Sequence, residues 1–154
     1  MSLFSDQNDG LLYALVGNAL FICIVLVTDS AEQTVKLGCE IHCFMSDPDV
    51  AQTAKERGCT RAIASMEKAA KLGKPVIFVV GNAPTALLAL RELIDAGTVK
   101  PELVIGVPVG FVNILESKDA IMEAGVPYIV AKGRKGGSIV AAAIVNALMY
   151  QITR

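Results

Sequence analysis

The sequence lacks an excess of basic residues, because its 14 Lys and Arg are offset by 15 Asp and Glu. A general nucleic-acid surface needs such an excess, so that class of protein is excluded. Charged residues make up only 19% of the chain against 53% apolar residues, which favours strands that are covered on both faces. Low-complexity linkers, long charge runs and internal repeats are also missing. Residues 1–154 are therefore predicted to form a single domain.

The sequence has no C-x-x-C pair and no small disulfide-rich frame. Its four cysteines lie in or beside apolar segments: Cys23, Cys39, Cys43 and Cys59. We interpret them as reduced core residues and predict a cytoplasmic location. The only histidine, His42, is next to Cys43, but neighbouring residues of a strand face opposite sides of a sheet. This arrangement argues against a zinc site, and we expect no metal.

One apolar stretch, residues 10–28, contains no charged residue and approaches the length of a membrane-spanning helix. Gly17 and Asn18 interrupt this stretch, acidic residues flank it, and no Lys or Arg precedes it. A membrane span or a signal peptide is therefore not expected. We predict instead a short helix over residues 11–15, a turn, and a buried strand over residues 21–27.

Apolar runs that are typical of strands alternate with helical patterns along the rest of the chain. The predicted strands are residues 21–27, 40–44, 76–80, 103–105 and 126–131, and the predicted helices are residues 31–37, 48–57, 60–72, 83–96, 113–124 and 138–152. Asp47 and Asn82 are predicted helix caps. This alternation predicts an α/β fold, a single-domain, parallel, Rossmann-like sheet of about five strands with helices on both faces.

Three glycine-containing loops follow predicted strands, at residues 81–85, 106–111 and 132–138. Because the carboxyl ends of parallel strands meet at one edge of a sheet, we expect these loops to form a ligand-binding edge. The third loop brings Arg134 and Lys135 to the start of a helix, whose free N–H groups favour anions. A pocket for a negatively charged ligand is therefore predicted. A nucleotide or phosphate binder stays an alternative, although neither the G-x-G-x-x-G nor the P-loop pattern is present.

Several segments have distinctive sequence motifs. They are V-G-N-A-P-T-A-L at residues 80–87, V-I-G-V-P-V-G-F at 104–111, E-S-K at 116–118, G-V-P-Y-I at 125–129 and G-R-K-G-G-S at 133–138, preceded by S-D-P-D-V at 46–50 and G-C-T-R-A-I-A-S-M at 58–66. In order and spacing, these segments resemble the precorrin-8X methylmutases, the precorrin isomerases of cobalamin biosynthesis. The similarity covers most of the chain from about Leu12 onward.

The resemblance implies an α/β fold that forms a homodimer with the substrate near the subunit interface. It also implies an enzyme that moves a methyl group from C11 to C12 of precorrin-8X, giving hydrogenobyrinic acid without an external cofactor. This substrate is a large apolar macrocycle fringed by carboxylates, so its pocket needs apolar walls with cations and N–H donors at the rim. The substrate-binding candidates are Arg61, Asn82, Thr85, Val107, Phe111, Arg134, Lys135, Gly136, Gly137 and Ser138.

One family feature has no counterpart among the 154 residues. Family members carry an N-terminal region with an Arg-x-x-His-Ala-Thr type motif, whose histidine is thought to protonate the ring. We therefore expect an N-terminally short chain whose catalytic residue is unknown, with His42 as the only histidine that could act as the acid. The alternative function is a tetrapyrrole-binding relative that has lost catalysis.

Overall fold

The computed structural model describes residues 23–28 and 39–152, with side chains described over residues 42–148 and at 151. The helices predicted over residues 11–15 and 31–37 lie outside the described residues. Within the described part the elements are β1 (Cys23–Thr28), β2 (Cys39–His42), a 3-10 turn (Phe44–Ser46), α1 (Pro48–Arg57), α2 (Arg61–Ala70), β3 (Val76–Val80), α3 (Pro84–Asp95), β4 (Leu103–Gly106), α4 (Ile114–Met122), β5 (Tyr128–Val130) and α5 (Ser138–Ile152).

The described strands form one sheet in the order β2-β1-β3-β4-β5. Strand β3 pairs with β4 in parallel, as Val79 does with Ile105, and β4 pairs with β5 in parallel, as Ile105 does with Ile129. The predicted parallel arrangement of these three strands is confirmed. From β2 onward the strands alternate with helices, as expected of an α/β fold.

The prediction of a wholly parallel sheet is wrong, because β1 runs antiparallel to both of its neighbours, β2 and β3. The physical reason lies partly in the connection. Only residues 29–38 separate β1 from β2, whereas a parallel crossover needs about a dozen residues or more. The apolar composition of a strand does not encode its direction, so the sequence pattern could not distinguish the two pairings.

Side chains that alternate along the strands are buried in two separate cores, one on each face of the sheet. On one face, Phe78, Val80 and Val104 pack with apolar residues of α1 to α4. On the other face, Val79 and Ile105 pack with residues of α5. Helices therefore cover both faces of the described sheet. Among the described elements, α5 is the helix that packs on the second face.

Helix α5 is apolar on most of its circumference but is buried on one side only. Ala141 and Val145 are buried against the sheet, whereas Ile139 at the start of the helix is 80% exposed. In the part of the chain that the structure describes, no helix is both long enough and apolar enough to cross a membrane.

The helix starts follow local signals with one correction. Thr60 caps α2, since its Oγ1 accepts a hydrogen bond from the Ile63 N–H at 3.2 Å. The prediction that Asn82 caps α3 is wrong by one residue, because Ala83 occupies the N-cap and Pro84 the first turn. Proline fixes its own φ and lacks an N–H, which suits it to the first helical position and sets the start of α3.

Candidate functional site

Three loops meet at the carboxyl ends of β3, β4 and β5. We call them loop A (residues 81–83), loop B (residues 107–113) and loop C (residues 131–137). A Cβ added to Gly81 would lie 2.8 Å from the Cα of Ser138, so loop A touches the start of α5. The Gly137 N–H of loop C donates to the Val107 carbonyl of loop B at 2.7 Å. The predicted gathering of the three loops is therefore observed.

The contact between loops B and C is so close that it requires glycine. A Cβ on Gly136 would lie 2.8 Å from the carbonyl carbon of Val107 and 3.0 Å from the carbonyl oxygen of Pro108. Both neighbours are backbone atoms, which cannot swing aside as a side chain can. Gly137 has a φ of 116°, a conformation that side chains disfavour. These two glycines allow loop C to lie directly on loop B.

A buried lysine organises loop C from below. Lys118 of α4 is 1% exposed, and its Nζ donates to the carbonyl oxygens of Ala131 at 2.7 Å, Gly133 at 2.7 Å and Lys135 at 2.8 Å. Burial lowers the pKa of the Lys118 ammonium, and the three carbonyl acceptors oppose that shift by stabilising the charged form. An ammonium has three donors, so all of them are used in shaping the loop.

The outer surface of the three loops combines cations with apolar side chains. Arg134 and Lys135 are exposed on loop C. On loop B, Phe111 is 87% exposed and Val112 is 73% exposed, beside the partly exposed Val109. Such a surface suits a ligand that is both anionic and apolar.

Three other predicted site residues have more restricted positions. Asn82 and Thr85 are half-buried around the start of α3. Val107 is fully buried in the core beneath α5, which corrects the expectation that its side chain supplies a pocket wall. At the loops, the Val107 carbonyl accepts a hydrogen bond from the Gly137 N–H. The Gly137 N–H is therefore already engaged, which corrects the expectation that it binds a ligand carboxylate.

Of the remaining candidates, Ser138 lies at the edge of the site and Arg61 lies outside it. Ser138, at the first position of α5, is 9% exposed. Arg61 is exposed and lines a separate cavity of about 520 Å³ at the junction of α1 and α2, together with Lys55 and Cys59. None of the residues that line this cavity belongs to the three loops. The structure therefore does not bring Arg61 together with Arg134 and Lys135.

His42 also lies away from the three loops. It ends β2 and stacks on Phe44, with ring centroids 5.2 Å apart. In the sheet order, β2 is two strands from β3, which leads into loop A, and three strands from β4, separations of roughly 10 Å and 14 Å at the usual strand spacing. Within the described residues, no group of three or more His, Cys, Asp or Glu side chains is placed to hold a metal ion.

Lys118 is the functional candidate that sequence reasoning missed. Its segment, E-S-K at residues 116–118, was noted only as one of the motifs that resemble the family. A stronger signal was available, because Ile114, Ser117 and Ile121 share its face of the helix and are buried with it. A charged residue in the middle of a buried helix face needs specific partners, so its position pointed to a structural or functional task.

Taken together, the described elements define an α/β protein in which three loops gather at one edge of the sheet. Comparison with known proteins agrees with this class. Residues 24–151 match the family model of precorrin-8X methylmutase. The chain belongs to the precorrin-8X methylmutase family.

Individual relatives are similar over most of this chain. The cobalt-precorrin-8 methylmutase of Priestia megaterium is 50% identical over 125 residues, covering 81% of this chain and 56% of that protein. The precorrin-8X methylmutase of Pseudomonas aeruginosa is 46% identical over 110 residues, covering 70% of this chain and 53% of that protein. The crystal structure of precorrin-8x methyl mutase from Thermus thermophilus superposes with a TM-score of 0.63 at 47% identity, covering 71% of this chain and 53% of that one. The chain spans about half the length of the curated relatives it matches.

Proposed function

We propose that this chain carries the corrinoid-binding surface of an isomerase that moves a methyl group from C11 to C12 of precorrin-8X, giving hydrogenobyrinic acid. The observation that carries the proposal is the meeting of loops A, B and C at one sheet edge, held together by the Gly137 to Val107 hydrogen bond. Matches to relatives named as methylmutases of precorrin-8X or cobalt-precorrin-8 support the choice of substrate class.

The chemistry of this surface suits the proposed substrate. A corrinoid precursor presents an apolar ring with acetate and propionate carboxylates around it. Arg134 and Lys135 are exposed and supply the cations for those carboxylates. Phe111 and Val109 supply apolar contact for the ring. No external cofactor enters this proposal, because the methyl group stays on the same molecule.

We place the binding surface near a homodimer interface within a cytoplasmic, Rossmann-like protein. Support for the dimer comes from the apolar side chains that remain exposed on one side of the molecule. Ile139 is 80% exposed at the start of α5, and Phe111 and Val112 are exposed on loop B. Several large apolar side chains exposed on one molecule are typical of interaction sites.

Catalysis is proposed to be slow for this chain alone. The family's motif with the ring-protonating histidine has no counterpart in the 154 residues, and His42 is stacked on Phe44 across the sheet from loop B. Loss of a positioned general acid costs about 10² to 10⁴ in rate. We therefore expect binding of hydrogenobyrinic acid with little turnover of precorrin-8X.

The test measures both properties on the same protein. Calorimetry should show binding of hydrogenobyrinic acid, and replacing Arg134 and Lys135 together by Ala should weaken it by about 1.5 to 3 kcal/mol for each lost charge-assisted contact. The matched control is Lys55→Ala, which removes an exposed lysine that lines the separate cavity at the junction of α1 and α2. Unchanged affinity in the double variant would exclude loop C from the site.

Turnover is followed by the conversion of precorrin-8X to hydrogenobyrinic acid, with His42→Ala measured alongside. Rates typical of the family from the unmodified chain would show that a general acid is present. If His42→Ala then abolished conversion without unfolding the protein, His42 would be that acid. Binding without any conversion would favour the non-catalytic alternative.

A further inference from the structure

The ammonium of Lys118 donates hydrogen bonds to alternate carbonyls of loop C. Its three acceptors belong to Ala131, Gly133 and Lys135, all within 2.8 Å. No carboxylate is paired with Lys118 in the described part of the chain, so the buried charge is balanced by these three carbonyl dipoles. A buried charge is costly unless it is fully hydrogen-bonded, so this arrangement strongly constrains the loop.

The constraint on the carbonyls also orients the N–H groups of the same peptide units. The described residues contain no cis peptide bond, and in a trans peptide the N–H points opposite to the preceding C=O. When the carbonyls of residues 131, 133 and 135 point at Lys118, the N–H groups of Lys132, Arg134 and Gly136 must point away from it. None of these three N–H groups donates to a backbone carbonyl within the described residues.

The outward side of loop C therefore presents three backbone donors beside two cationic side chains. Because the three carbonyls converge on one nitrogen atom, the N–H groups of the same peptide units point outward and diverge, so each can meet a different acceptor of a ligand. Arg134 and Lys135 are exposed next to these donors. Backbone donors cannot rotate away as long side chains can, so they add directional hydrogen bonds to the diffuse attraction of the two cations.

We propose that Lys118 is a positioning residue that holds the carbonyls of loop C inward, so that the N–H groups of Lys132, Arg134 and Gly136 stay on the outer face of the loop and bind separate carboxylates of the ligand. The inference rests on the proposed function, because it assigns a task to loop C within the same corrinoid-binding surface. Lys118 does not touch the ligand, since its three donors are occupied.

The experiment is an NMR titration of the chain that follows backbone amide shifts and affinity together. Two probes are used: hydrogenobyrinic acid, and citrate as a simple polycarboxylate. The expected result is a set of shifts at the amides of Lys132, Arg134 and Gly136. In Lys118→Met, which keeps an unbranched side chain one atom shorter but removes the charge, affinity should fall by about 10- to 100-fold. Lys118→Arg should recover part of that loss, because its guanidinium can still donate to the carbonyls.

The matched control is Ile121→Ala, which removes a buried side chain one turn further along the same helix. This variant should lower the melting temperature as a core truncation does but leave the affinity within about 2-fold. A purely structural role for Lys118 predicts the same loss of affinity in both variants, and that result would overturn the inference. Unchanged affinity in Lys118→Met would overturn it as well.

The two probes separate this inference from the proposed function. If citrate shifts the three amides and Lys118→Met weakens citrate binding, but hydrogenobyrinic acid does not bind, the assignment of the ligand fails and the role of Lys118 stands. If hydrogenobyrinic acid binds without shifting these amides, the corrinoid function stands and the inference is wrong. If Lys118→Met does not fold, the titration of the unmodified chain still decides, because absent shifts at the three amides contradict the proposal.

Discussion

Individual residues of loop C have sharply different tolerance for a side chain. Gly136 lies against the backbone of loop B, whereas an added Cβ on Gly133 would meet nothing within 4 Å. Both residues have positive φ, 154° and 82°. The pair therefore separates the effect of backbone strain, which both positions share, from the effect of a steric clash, which only Gly136 has.

Gly136→Ala should lower the free energy of unfolding by about 2 to 4 kcal/mol, because strain and overpacking add. Gly133→Ala should cost only about 1 kcal/mol, from the positive φ alone. Urea denaturation of the two variants and the unmodified chain provides the measurement. Equal losses in the two variants would show that loops B and C do not lie in contact.

At the scale of elements, helices α1 and α2 are joined by charged side chains at their surface. Lys68 of α2 contacts Asp47 at 2.6 Å and Asp49 at 2.8 Å, and it lies 5.0 Å from the centre of the Phe44 ring. The hydrogen bond from Lys68 lowers the pKa of the Asp49 carboxyl. The N-cap aspartate of α1 thus binds a lysine of the next helix instead of its own backbone, since its side chain makes no cap hydrogen bond.

This contact predicts a dependence of stability on acid. Since the pKa of Asp49 is lower in the folded state, the unfolded chain binds more protons as the pH falls, and the stabilisation from Asp49 is lost. It is complete above the ordinary aspartate pKa of about 3.9 and disappears as the pH drops through the lowered value. Asp49→Asn should therefore show a shallower fall in melting temperature between about pH 5 and pH 2 than the unmodified chain.

The control for this pH series is Asp119→Asn, which alters an exposed aspartate on α4. The melting temperature of this variant should fall with pH as steeply as that of the unmodified chain. Parallel curves for the unmodified chain and Asp49→Asn would mean that Lys68 does not hold Asp49 in solution.

At the scale of the whole molecule, most of the large apolar side chains that are exposed in the described part of the chain lie around the loop edge, with Tyr128 at the start of β5 as the exception. Phe111, Val112 and Leu115 come from loop B and the start of α4, and Ile139 and Val140 come from the start of α5. Each is at least 37% exposed. Surface of this composition at one end of the molecule favours association with a second copy.

We predict that sedimentation velocity at micromolar concentration gives the mass of two chains. Ile139→Asp should shift the protein toward the mass of one chain, because it introduces a charge into the proposed interface. The control is Thr98→Asp, which places the same charge on an exposed residue of the connection between α3 and β4. A single-chain mass for the unmodified protein would contradict the proposed homodimer.

The sequence by itself determined the bounds of the local elements and the positions of the loops. Strand β3 at Val76–Val80 and helix α5 at Ser138–Ile152 agree with the predicted bounds, because apolar periodicity and turn residues are local signals. The helix predicted over residues 60–72 is present as α2 at Arg61–Ala70, with Thr60 as its N-cap. The position of the three loops directly after predicted parallel strands also predicted which loops meet.

Only the tertiary structure decided the direction of β1, the burial of Val107 and the task of Lys118. Each of these depends on partners far along the chain. Strand β1 pairs with β3, Val107 lies under α5, and Lys118 binds carbonyls up to 17 residues away. Apolar runs look alike whichever way a strand points, and a lysine in a helix looks solvated until its neighbours are known. The loops could be located from local signals, whereas their orientation came from long-range packing.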